Sequence, residues 1–68
     1  MLIFTVEGMS CGHCVKAITQ ALRAEDPRAE VEVSLESGQV RVRSERDAAL
    51  LAEAIREAGY EVRATELA

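Results

Sequence analysis

The chain has 68 residues, enough for one small domain (1–68) but too few to enclose a substrate pocket of ordinary enzyme size, so no enzyme is expected. Twelve acidic against eight basic residues give a formal net charge of −4, which argues against nucleic-acid binding, and no apolar run approaches the length of a membrane span. The opening MLIFTVEGMSCG has no basic residue ahead of its short apolar run, so it does not read as a signal peptide and a cytoplasmic location is expected.

Leu2–Val6 is rich in β-formers and precedes a turn at Glu7-Gly8, predicting a first strand. From Cys14 onward the period becomes helical. Val15, Ile18 and Leu22 form the inner stripe, Ala21 widens it, and Ser10 stands as a candidate cap. Asp26-Pro27 ends this helix, because the residue before proline avoids the α region. Val31, Val33 and Leu35 then alternate with Glu30, Glu32 and Ser34, which marks a half-buried strand.

Ser37-Gly38 signals a hairpin, after which Val40 and Val42 alternate with polar residues. A two-residue loop would set Glu32 opposite Arg43 and Ser34 opposite Arg41. A second helix is expected from about Ser44–Asp47 to Ala58, with Ala48, Leu51, Ile55 and Ala58 inward and Gly59 just past its end. Tyr60 to Thr65 alternates again as a last strand. The order β-α-β-β-α-β predicts an α+β, ferredoxin-like sandwich: a four-stranded antiparallel sheet with two helices on one face. Its inward set is Leu2, Phe4, Val6, Val15, Ile18, Leu22, Val31, Val33, Leu35, Val40, Val42, Leu51, Ile55 and Val62. That aliphatic filling should fold without a metal.

The chemistry is concentrated in Gly8-Met9-Ser10-Cys11-Gly12-His13-Cys14. Two cysteines separated by two residues do not make a disulfide framework, and in a reducing compartment they read as metal-binding or redox-active. Cys11 falls in the loop after the first strand and Cys14 in the first turn of the helix. Unpaired amides and the positive end of the helix dipole there favour thiolates. Soft thiolates select Cu(I), zinc or iron–sulfur clusters. Structural zinc asks for four ligands and a cluster for four cysteines, whereas two sulfurs satisfy Cu(I), and equally Ag(I) or Hg(II). A pair with room for another sulfur suits transfer by ligand exchange, and two loaded copies could share the metal as a homodimer. Met9 reads as a core gap-filler, Gly8 as a turn residue, and His13 as a surface imidazole with a third-ligand role as the alternative.

The run GMSCGHC after a strand, with Gly59-Tyr60 before the last strand, resembles the heavy-metal-associated domain over essentially the whole chain. The pattern is similar to bacterial cytosolic copper chaperones and to the amino-terminal domains of copper-transporting P-type ATPases. The resemblance implies Cys11 and Cys14 as metal ligands. It also implies that Met9 supports the loop from beneath and that Tyr60 lies beside the site; Ser10, Gly12 and His13 are the further candidates for supporting it. The implied function is a copper chaperone that passes Cu(I) to a copper-transporting ATPase domain. Zinc-binding relatives carry an acidic residue where this chain has Ser10, and mercury-binding ones are usually exported. A thiol-disulfide redox protein is the competing reading of CxxC, although Pro27, the single proline, only ends a helix. One departure is local: Glu25-Asp26-Pro27-Arg28 lacks the glycine that the family often places there.

Overall fold

Alternation places Phe4, Val6, Val40 and Val42 on one face of a sheet, and all four are buried. The computed structural model describes residues 1–9 and 12–67. Its elements run β1 (Leu2–Glu7), α1 (Gly12–Glu25), β2 (Glu30–Ser34), β3 (Gln39–Arg43), α2 (Ala48–Glu57) and β4 (Glu61–Leu67). The strands form one sheet in the order β2-β3-β1-β4, with every neighbouring pair antiparallel. Ile18 and Leu22 of α1 and Leu51, Ala52 and Ile55 of α2 close the core over the apolar face. This is the ferredoxin-like sandwich. Each fully buried aliphatic side chain contributes about 1.5–3 kcal/mol, and a chain this short depends on nearly all of them. Among the described residues, no helix is long and apolar enough to cross a membrane.

Four details differ from the sequence reading. The β2–β3 pairs are Glu30↔Arg43, Glu32↔Arg41 and Ser34↔Gln39, so the register is displaced by two residues. The cause is loop length: β2 ends at Ser34, and four residues, not two, form the turn. Gly38, at φ +70, closes that turn, donating its N–H to the Ser34 carbonyl and accepting from Val6 N–H at 2.8 Å. Leu35 consequently leaves the sheet and is 40% exposed, outside the core assigned to it.

Helix α1 is the third. Its inner stripe is Cys14, Ile18 and Leu22, at i, i+4 and i+8, and Val15 is rotated to a half-buried flank. The fourth lies in β4, where alternation holds only to Val62. The β1–β4 pairing passes from Thr5↔Ala64 to Val6↔Val62, which leaves Arg63 as the extra residue of a β-bulge.

The helix ends are local chemistry. α1 stops at Glu25 as the Asp-Pro pair requires. Asp26 then accepts a hydrogen bond from Arg28 N–H at 3.0 Å and another from the Ser44 hydroxyl, and its carbonyl accepts from Ala29 N–H. The connection needs no glycine, since positive φ among the described residues occurs only at Gly8, Gly38 and Gly59. α2 ends in a Schellman-type cap: Gly59 N–H donates to Arg56 O and Tyr60 N–H to Ile55 O, with Gly59 at φ +99. That cap fixes where Tyr60 leaves the helix.

Candidate metal centre

β1 delivers the chain to one end of the sheet, and α1 leads back from it. Gly8 makes the turn at φ +93, a conformation that L side chains rarely adopt. The next residue, Met9, is half-buried and packed against the core. Ser10 and Cys11 lie outside the described residues, so the assignments made to them rest on sequence. Gly12 is the first residue of α1 and is exposed.

Cys14 follows within the first turn of α1 and is only 8% exposed. Its thiol lies 3.8 Å from the Gly8 carbonyl oxygen, a weak S–H···O contact that spans the loop. The helix phase explains the burial. Four residues before Ile18, position 14 must face the sheet. His13, one residue earlier and about 100° around the helix, is exposed. Lys16 is exposed as well.

Tyr60 approaches from the other side of the same end. It is half-buried, and its ring passes so close to Gly8 that a Cβ built there would lie 3.6 Å from Tyr60 Cδ1. Gly8, Cys14 and Tyr60, separated along the chain, are therefore neighbours in space. Among the described residues no group of three or more His, Cys, Asp and Glu side chains could hold a metal ion. A polar depression of about 550 Å³ lined by Asp26, Arg28, Arg43, Ser44, Glu45 and Arg46 lies at the opposite end, beside the Leu2–Val42 rung. It gathers none of the residues singled out by the motif.

A strand-loop-helix turn with a helix-borne thiol under a glycine carbonyl matches the pattern that the sequence motif suggested. The family model for the heavy-metal-associated domain matches residues 3–61. The chain belongs to that family. Relatives of this heavy-metal-associated chain include the copper chaperone CopZ of Staphylococcus aureus, 44% identical over 63 residues, which span 88% of this chain and 93% of CopZ. Among solved structures, the copper chaperone Atx1 from Synechocystis PCC6803 superimposes with a TM-score of 0.87 at 38% identity, covering 90% of this chain and 97% of Atx1. The amino-terminal domain of PacS from the same organism gives a TM-score of 0.76 at 30% identity, with 91% of each covered.

Arg63 is a residue near this end that the sequence reading missed. Its guanidinium contacts Glu7 at 3.1 Å and Glu61 at 3.4 Å, next to Gly8 and Tyr60 in the chain. The sequence carries no clear signal for the bulge, because beyond Val62 every residue of β4 is exposed, Leu67 at 81%.

Proposed function

We propose that the protein is a copper chaperone that holds one Cu(I) between the thiolates of Cys11 and Cys14 and passes it by thiolate exchange to a CxxC-bearing domain of a copper-transporting P-type ATPase. The observation that carries this reading is the place of Cys14: at the start of a helix, with its sulfur facing the loop that, in sequence, bears Cys11. Two soft donors satisfy Cu(I) and leave zinc short of the four ligands it takes in structural sites. The copper-chaperone names of CopZ and Atx1, similar to this chain over most of its length, support the same cargo.

Ligand exchange suits a two-thiolate site, because an incoming sulfur can add before a resident one leaves. The same room lets two copies share the metal. His13 is left out of the donor set, since it projects to solvent about 100° from Cys14 around α1. Cytoplasmic residence fits cysteines that must remain reduced to bind.

The test is a competition titration against a Cu(I) chelator of known affinity, run in parallel with Zn(II). One tightly bound Cu(I) per chain, lost on Cys11→Ser and on Cys14→Ser, is the expected result. Preference for zinc, or undiminished copper binding by either variant, would overturn the assignment.

A further inference from the structure

Glu7 and Glu61 are register partners in the last rung of the β1–β4 pair, so two carboxylates stand directly opposite each other. Like charges in that arrangement push a rung apart. Arg63 lies between them, with Nε 3.1 Å from Glu7 and a terminal nitrogen 3.4 Å from Glu61. It reaches there because it is the unpaired residue of the bulge, a device that redirects a side chain relative to a regular strand. The residues adjoining this rung are Gly8 and Tyr60, placed so that a Cβ on Gly8 would meet the Tyr60 ring at 3.6 Å, and the Gly8 carbonyl meets the Cys14 thiol.

We infer that Arg63 is a positioning residue for the metal site: by neutralising the opposed carboxylates of Glu7 and Glu61 it keeps the last rung closed, and that rung presents Gly8 and Tyr60 to Cys14. The inference rests on the copper reading above for its functional consequence. The three side chains are each more than half exposed, so either ion pair alone would contribute little. The arrangement matters because removing the single cation leaves repulsion behind as well as losing attraction. Its effect is local. The rung lies at the end of the strand pair, while the fold is held by the core beneath.

The experiment compares wild type, Arg63→Gln and the triple variant Arg63→Gln/Glu7→Gln/Glu61→Gln, by amide hydrogen exchange of the apo protein and by Cu(I) competition titration. In R63Q, exchange at Glu7, Gly8 and Glu61 should quicken about threefold and Cu(I) affinity fall by about the same factor, the scale of a lost exposed ion pair. Exchange at Val40 and Val42 in the core should barely change. The triple variant, with neither cation nor carboxylates, should recover both properties. Unchanged exchange at the rung, uniformly faster exchange through the core, unchanged copper affinity in R63Q, or failure of the triple variant to recover would each refute the role. Wild type that bound no Cu(I) would instead defeat the copper reading, and the exchange comparison would still decide whether Arg63 closes the rung.

Discussion

The thiol of Cys14 rests 3.8 Å from the carbonyl oxygen of Gly8, so the first turn of α1 and the turn after β1 meet at a sulfur. With the residue only 8% exposed, that sulfur belongs to the core packing as well as to the motif. Cys14→Ser should therefore have two separable effects. Tight Cu(I) binding should be lost, and stability should fall by about 1 kcal/mol as a polarisable apolar group is replaced by a hydroxyl in a buried place. Urea denaturation with and without metal measures both. A variant of unchanged stability would mean that the thiol is not packed as described.

Gly8 and Gly12 offer a contrast within one loop. At Gly8 a Cβ would find ordinary contact distance to Tyr60, but φ +93 strains any L side chain. Gly8→Ala should destabilise by about 1–2 kcal/mol and loosen copper binding, because the turn must rearrange. At Gly12 a Cβ meets nothing within 4 Å and φ is not in the positive region. Gly12→Ala should be neutral or stabilise by up to about 1 kcal/mol through the unfolded chain. Equal losses at the two positions, in thermal melts of the apo protein, would contradict this account.

What the sequence makes legible follows from the kind of signal each feature leaves. The strands and helix stripes were readable because burial imposes a period, and the motif because its spacing is specific. The β2–β3 register was not, since Ser37-Gly38 marks where a chain turns but not how many residues the turn takes. Four residues moved Glu32 from Arg43 to Arg41 and set Leu35 in solvent. Val15 reads as inward only while Cys14 is left out of the apolar pattern. Counting Cys14 as an apolar residue, as its burial warrants, rotates the stripe to 14, 18 and 22. The placement of Cys11 rests on sequence.

One buried and one exposed apolar position test that revision. Phe4 is fully buried beneath both helices, and Phe4→Ala should cost about 3–5 kcal/mol, enough to unfold much of a chain this small. Leu35, at 40% exposure on the hairpin, should tolerate serine within about 0.5 kcal/mol. Circular dichroism of the two variants at one temperature distinguishes them. A large loss at Leu35 would restore it to the core.

Asp26 gives the fold a sign-definite acid response. The Ser44 hydroxyl, then the Arg28 amide, hydrogen-bond its carboxylate and hold the pKa below the usual 3.8. A depressed value means the folded state favours the ionised form. The contribution is fully present above the unfolded pKa and is lost as pH falls through the folded one. The difference in stability between wild type and Asp26→Asn should thus be constant near neutrality and shrink in acid. Denaturant titrations at stepped pH measure it. A difference that did not shrink below pH 3.8 would show that Asp26 does not titrate between these hydrogen bonds.

Delivery is the decisive property for a chaperone. If Cu(I) moves by thiolate exchange, donor and acceptor sulfurs must share the ion for a moment, and transfer must outrun dissociation into water. Encounter should involve the Gly8–Cys14 end, the exposed start of α1 with Lys16, and the edge of Tyr60. A chain of net charge −4 meets a complementary partner faster at low ionic strength, so added salt should slow the transfer. Arg41 and Arg43 are exposed on β3, on the sheet face opposite the buried Val40 and Val42, and Arg43 lies at the far end of that strand, so reversing their charge should have a smaller effect than reversing Lys16. Stopped-flow mixing of the loaded protein with a purified CxxC domain of a copper-transporting ATPase, in the presence of a strong chelator, measures the rate. Direct hand-off predicts copper on the acceptor well before the chelator could capture it, at a rate proportional to acceptor concentration. Arrival only at the chelator-limited rate, independent of acceptor, would mean that the ion travels through solution and that the protein buffers copper without delivering it.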